Sequence, residues 1–491
     1  MEHSSGNRKV QYIVTFAVSL AAVTAGVSVF WSTPVMPKFH DNETSVHITD
    51  KELSWMTAMS SPGFMAGSLA TRFIADRFGR RASILGSAVP FTTATIILLC
   101  ATNAWMFYVT RFLWGVATGI IITVSSIYVV EIADKDIRGT LSVGNRFMFN
   151  FGTFLVMAIG PFVHFDTLTY MLLALPVIFF IACWWIPETP YYYLKEGNVD
   201  AARKELSHLR GYKDEKILEE QLSLMRSDVK KEMRHSGSAK ELFTGKQYRR
   251  ALVISIGLKL IQVLSGTVAV QQYLGRIVQE SKSGLQVSTA LIIFGAIRFA
   301  VGVCSSLLVD KVGRRPMLIY SYSGSCISLI TVGIYFYYQE VIGFDEPNPY
   351  GYIGFVGIII SNIIATIGFD SLTYVIPAEI FPINVKSLAM TILNILGGCT
   401  NFLVVKSYQG LKDWAGLYGV FFVFGSAAFI GALFSYFIVP ETKGKSLSAI
   451  QVELQGKYYD EAEEDLKKGV DGANELSELK ELKQRKISIG D

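Results

Sequence analysis

Charged residues recur in this 491-residue chain as three short cassettes, each present twice. Asp76-Arg77-Phe78-Gly79-Arg80-Arg81 returns as Asp310-Lys311-Val312-Gly313-Arg314-Arg315. Glu131-Ile132, followed by Arg138, returns as Glu379-Ile380, followed by Lys386, and Pro187-Glu188-Thr189 returns as Pro440-Glu441-Thr442. The chemistry open to such a set is electrostatic. Glycine permits a tight turn, and the arginines beside it can fork onto Glu131, Glu188, Glu379 and Glu441 through charge-assisted hydrogen bonds. A network of this kind can hold one face of a molecule shut and then release it, giving two states of similar energy. A second set, Lys259, Arg298 and Asp370, stands in stretches that are otherwise apolar. Charges there cost about 2.5–3.5 kcal/mol each at the centre of a membrane helix, so they must face a cavity or one another.

The elements that carry these residues are membrane spans. Hydrophobic residues make up 51% of the chain and charged ones 18%, with a mean hydropathy of +0.37. That balance leaves too much apolar surface for a water-soluble fold. A bilayer core about 30 Å thick needs roughly 20 apolar residues per helix. Twelve such stretches start near Tyr12, Leu53, Ala82, Trp105, Leu141, Leu168, Ala251, Ser288, Met317, Tyr350, Ser387 and Gly416. The first has no small-residue cleavage site and reads as a span rather than a removed signal. The repeated cassettes fall after spans two, four and six and again after eight, ten and twelve, so the chain is a tandem duplication of six spans.

Lys and Arg crowd the connections after the even-numbered spans, which places both termini in the cytoplasm. The 34–52 connection then faces outward, and its Asn42-Glu43-Thr44 is a glycosylation acceptor pattern that favours the plasma membrane. The expected organisation is a six-helix half over 1–187, a cytoplasmic helical linker over 188–248, a second half over 249–445 and a cytoplasmic tail over 446–491. The linker segments 199–209 and 215–233 have helical apolar spacing with charge between and are expected to brace the halves. The five cysteines lie in apolar runs and read as packed hydrophobes, with no disulfide expected. No phosphate loop, nucleophile elbow, metal-ligand cluster or dinucleotide fingerprint is present, so the reading is not an enzyme, with no cofactor and no metal. The partners implied are the lipid bilayer and a small solute, not nucleic acid.

The cassettes, together with Tyr128-Val-Val-Glu131, Gln262-Val-Leu-Ser265-Gly266, Pro377-Ala-Glu379-Ile-Phe-Pro382 and Pro440-Glu-Thr-Lys-Gly444, resemble the sugar-porter family of the major facilitator superfamily over nearly the whole chain. Trp31-Ser-Thr-Pro34 and Phe402-Leu-Val-Val-Lys406 are similar to insect trehalose facilitators. The resemblance implies an all-α membrane protein of twelve transmembrane helices around a central cavity, moving a sugar by alternating access. It assigns Gln262, on span seven, to the sugar, because its amide can donate to and accept from hydroxyls. Tyr273, farther along, matches a tyrosine that helps close an outer gate. Arg298 stands where the family has a cavity amide on span eight, and Arg146 where it has a glutamine on span five. Tyr374 replaces a tryptophan that stacks on sugar, and Asn401 on span eleven completes the candidate substrate set with Lys259 and Asp370. Lys259 lies one turn before Gln262, on the same helix face.

Several family contacts are lost. Val263 and Val268 replace a glutamine and an asparagine, and Asp370-Ser371-Leu372-Thr373-Tyr374 lacks the prolines that loosen span ten in the family. Gly26-Val27-Ser28 has no acid where proton-coupled members carry an aspartate, which predicts facilitated diffusion with Asp370 as the one intramembrane group placed to titrate. The intramembrane charges admit two readings. One is an Asp370–Arg298 latch between spans eight and ten, with Lys259 near water and Arg146 snorkelling toward the span end. The other is a cavity with three cations and one anion, suited to an anionic organic solute. The missing contacts also leave open a non-transporting nutrient receptor on the same scaffold.

Overall fold

The computed structural model describes residues 8–453 apart from 42–43, 45, 135–136, 212–214, 235–238, 246–247, 282–283, 344–349, 382, 444, 446–449 and 451–452; some helix side chains, Asp310 and Lys311 among them, are also outside the description. The acceptor Asn42, the side chain of Asp310 and nearly all of the 446–491 tail therefore lie outside the described residues.

Among the described residues the chain is helical throughout, without a strand. Eight segments are long and apolar enough to cross a membrane. One of them, within Ile383–Phe437, turns back at Gly416, whose φ is 69°. Glu340 fills the space a Cβ would take there and accepts the Leu417 N–H at 3.1 Å, capping span twelve. Three further helical spans complete the twelve: Asp50–Phe78 for span two, interrupted at Met59, Arg138–Ile159 for span five and Val287–Val312 for span eight.

Within the first half, spans two and four meet backbone to backbone. A Cβ on Gly63, Gly67, Gly115 or Gly119 would fall 2.1–2.4 Å from a carbonyl of the other helix. Without a hydrophobic drive between helices in lipid, such close van der Waals approach is what holds them. Between halves, span five meets span eight through Phe147, Phe151 and Phe154 around Phe299. Span two meets span eleven through Asn401, which donates to Ser61 Oγ at 2.8 Å.

The hydrophobic clusters divide by depth. The largest, with Trp31, Phe39, Trp114 and Phe165 from one half and Tyr273, Leu274, Tyr408 and Phe421 from the other, spans both halves at the end bearing the 34–52 connection. At the cassette end each half has a separate cluster, around Tyr128, Ile132 and Cys183 in the first and around Tyr322, Phe369 and Ile376 in the second. The molecule is therefore joined across its halves at one end and divided at the other. The linker touches both: Leu209 joins the first half's cluster and Arg210 pairs with Asp134 at 3.2 Å, while Leu242 of Ala239–Thr244 joins the second half's.

Among the described residues span seven is broken between Leu264 and Thr267 and span ten at Gly368, whereas Trp31 in span one, Met59 in span two and Ser87 in span three separate helical segments while keeping helical φ and ψ. The break in span ten corrects the expectation drawn from its missing prolines. Gly368, at φ −104° and ψ −102°, interrupts the helix without them.

Candidate functional site

Spans seven and ten bring four of the predicted residues into one hydrogen-bonded group. Gln262 lies one turn before the break in span seven, and Asp370 immediately follows the break in span ten. Gln262 Nε2 donates to Asp370 Oδ1 at 3.0 Å. Lys259 Nζ donates to Gln262 Oε1 at 3.2 Å and to Tyr374 Oη at 3.0 Å, and sits 4.2 Å from the Tyr374 ring centroid. The lysine stem crosses Gly397 of span eleven, where a Cβ would come within 2.3 Å of it. Lys259 and Gln262 are buried, whereas Tyr374 is 40% exposed, so the group has one accessible side.

The other predicted substrate residues are placed differently. Arg298 donates to Gln271 Oε1 and lies over the Phe30 ring at 4.7 Å, so the expected Asp370–Arg298 latch does not form. Arg146 is exposed on span five and is not hydrogen-bonded into this group. Asn401 bonds span two and leaves its Oδ1 buried without a partner. Tyr273 belongs to the closed end: it stacks on Tyr408 at 4.1 Å and donates to the Val405 carbonyl at 3.4 Å.

That closed end is a polar seam between the halves around the shared apolar cluster. Thr33 donates to the Gln271 carbonyl at 3.0 Å, and Lys406 Nζ donates to Ser54 Oγ at 3.0 Å beside the Trp55 ring. Arg276 pairs with Asp50 at 3.4 Å, and Gln279 donates to Asp41 at 3.0 Å. Toward the cassettes the halves part. A cleft lined by Met65, Ser68 and Thr123 on one side and Thr391, Asn394 and Ile395 on the other opens there.

The cassettes repeat atom for atom. In the first half the backbone N–H groups of Arg80 and Arg81 each donate at 3.0 Å to the two oxygens of Glu188. The Arg80 guanidinium then grips Glu131, with Nη2 at 3.1 Å from Oε1. In the second half Arg314 and Arg315 N–H donate to Glu441 at 3.0 and 3.1 Å, and Arg314 Nη2 reaches Glu379 at 3.1 Å. Gly79 (φ 93°) and Gly313 (φ 105°) supply left-handed turns that L-residues resist. A Cβ on Gly79 would lie 2.2 Å from Glu188 Oε2. Every cassette bond named here stays inside its own half.

Two cassette members were not assigned from sequence: Thr189 Oγ1 donates to Glu131 at 2.5 Å and Thr442 Oγ1 to Glu379 at 2.6 Å. Their signal was present in the repeated Pro-Glu-Thr string. Asp76 is peripheral, 3.5 Å from Arg80, and Arg77 is exposed. Arg81 donates to the Trp184 carbonyl and Arg315 to the Tyr436 carbonyl at 2.6 Å. Arg138 and Lys386 do not join either network; a side-chain nitrogen of Arg138 is buried without a hydrogen bond. A further residue escaped the sequence reading altogether. Arg111, fully buried in span four, donates to the Ser28 carbonyl at 2.6 Å and to the Val29 carbonyl at 3.5 Å. It satisfies backbone oxygens of span one near Trp31, and a lone arginine inside an apolar run was the available signal.

Two six-helix halves, joined at one end, parted at the other and enclosing a polar group at mid-depth, define a multi-pass membrane transporter. The family model described as sugar (and other) transporter matches residues 17–454, and the chain belongs to that family. It is 30% identical over 444 residues to the facilitated trehalose transporter Tret1 of Bombyx mori, covering 90% of this chain and 86% of that one. It is also 30% identical to Tret1 of Drosophila willistoni, with 91% of this chain covered but 51% of the relative, so the chain spans about half the length of that longer protein. In fold it is similar to the inward open conformation of the xylose transporter XylE from E. coli, at a TM-score of 0.73 and 20% identity, covering 90% of this chain and 99% of that one.

Proposed function

We propose that this protein carries a sugar-like solute, of the hexose or trehalose class, across the plasma membrane by alternating access and facilitated diffusion. The observation that carries this reading is the position of the Lys259–Gln262–Asp370–Tyr374 group. It lies beneath a seam closed across the halves, and its exposed member, Tyr374, stands on span ten between Asp370 and the cassette residue Glu379. Amide, phenol and carboxylate are the groups that exchange hydrogen bonds with hydroxyls. With both termini and the linker in the cytoplasm, the solute would enter from outside when the Thr33–Gln271, Ser54–Lys406 and Asp50–Arg276 contacts part and the cassette ends approach.

Uniport is supported by Arg111. Its guanidinium is held by span-one carbonyls, which take up no proton in the working pH range, rather than by a carboxylate. The relatives' printed name, facilitated trehalose transporter, agrees with this.

The test is uptake of labelled trehalose and glucose by proteoliposomes holding the full chain. Saturable flux that is indifferent to a pH gradient, and that falls at least about tenfold in Gln262→Ala through loss of charge-assisted hydrogen bonds, is the expected result. Absence of trehalose and glucose flux would overturn the neutral-sugar reading, and flux that steepens with a proton gradient would overturn uniport.

A further inference from the structure

Resting on the transporter reading, we propose that the solute preferred at this site is an anionic sugar, one bearing a carboxylate or a phosphate. The cations around the site are not neutralised by the protein. Among the described residues, no cation stands within 4.0 Å of the Asp370 carboxylate, whose Oδ1 is bonded to the Gln262 amide instead. Lys259 uses two of its three N–H donors, on Gln262 and Tyr374. Arg146 is exposed and makes no hydrogen bond or ion pair with a described residue. Arg298 is held by a neutral amide and an aromatic face. Lys259 in the group, with Arg146 and Arg298 next in sequence to the Phe147–Phe299 contact of spans five and eight, set three cations against one aspartate, and in a low-dielectric cavity that excess raises the local concentration of anions.

The amide at the centre strengthens the argument. Both polar atoms of Gln262 are already engaged with charged partners, in bonds roughly twice as strong as neutral ones. A neutral sugar reaching Gln262 must break at least one of them and return only hydroxyl bonds. An anionic sugar can leave the Gln262–Asp370 bond intact and bind through the spare donor of Lys259 and the fork of Arg146, while its hydroxyls meet the exposed Tyr374.

The experiment is uptake by proteoliposomes containing the full chain, with labelled glucuronate, glucose 6-phosphate, glucose and trehalose compared at zero and inside-positive membrane potential. Saturable uptake of glucuronate or of glucose 6-phosphate is expected, with kcat/KM at least about tenfold above glucose, and accelerated by inside-positive potential. Which of the two is carried separates carboxylate from phosphate. Lys259→Gln should shrink the anion-to-glucose ratio by at least about tenfold, and Arg146→Gln, at an exposed position, tests the same point where Lys259→Gln fails to fold. Uptake of glucose or trehalose without either anion would overturn this inference and leave the facilitator reading standing. No saturable uptake of any of the four would overturn both.

Discussion

The two cassette networks have the same connectivity and different surroundings. Arg80 and Glu131 expose 3% and 13% of their side chains, whereas Arg314 and Glu379 expose 16% and 27%. The difference starts after the shared Pro-Glu-Thr. In the first half the chain enters the helix Pro190–Lys195, whose Tyr192 ring covers the Arg80 guanidinium at 5.7 Å and whose Lys195 reaches Asp76 at 4.0 Å. In the second half Lys443 follows Thr442 and turns its N–H back onto Glu441 at 2.8 Å. Burial pushes the Glu188 carboxyl above its ordinary range even though three backbone N–H groups oppose it. At Glu441 burial also pushes up, but four backbone N–H groups outweigh it and the carboxyl is held below its ordinary range. Identical strings thus yield a covered lock in one half and a wetter one in the other, because the neighbouring helix decides the dielectric.

The largest break in this comparison should come from the arginines. Arg80→Ala leaves a buried carboxylate unpaired and should cost about 3–5 kcal/mol, against roughly 1–3 kcal/mol for Arg314→Ala, whose partner is wetter. Thermal unfolding of the detergent-solubilised chain measures both, and equal losses would mean that the covering helix has no energetic consequence. Next come the turn glycines. Gly79→Ala pays both positive φ and collision with Glu188, so a loss of about 1–3 kcal/mol or more is expected, exceeding that of Gly313→Ala, where the nearest Glu441 oxygen would be 3.0 Å away. The same melts rank them, and the reverse order would contradict the geometry.

A smaller effect is expected at the threonines, where Thr189→Val and Thr442→Val each remove one bond to a carboxylate, worth roughly 1–3 kcal/mol, with Thr189 at the upper end. The finest discriminator is pH. Glu188, with its folded value raised, contributes stability that is present below the unfolded value of 4.5 and lost as pH rises through the folded value. Glu441, with its folded value lowered, contributes stability present above 4.5 and lost as pH falls through the folded value. Glu188→Gln should therefore flatten the decline of melting temperature on the alkaline side of 4.5, and Glu441→Gln the decline on the acid side. Parallel profiles for the two variants would remove the distinction between the halves.

Much of this architecture is legible in one dimension. Apolar runs long enough to cross a bilayer mark the spans, and the repeated cassettes at their ends divide them into two sets of six. The Arg80–Glu131 and Arg314–Glu379 pairs follow from the repeated cassettes, since complementary charges at matching helix ends have few other partners in lipid. Arg138 and Lys386 belong to the same strings and stay outside the networks, because adjacency in sequence does not set the direction in which a side chain leaves its helix.

Sequence alone determined that the chain enters a membrane, that its halves are duplicates and that Lys259 and Gln262 share a face, because hydropathy, repetition and the 3.6-residue turn are local properties. Tertiary structure alone decided that Asp370 meets Gln262 rather than Arg298, that Arg111 serves span-one carbonyls, and that Asn401 bonds span two rather than joining the polar group. Those choices depend on how each broken helix is rotated and crossed against its neighbours, and the contacts that set rotation come from residues far away along the chain.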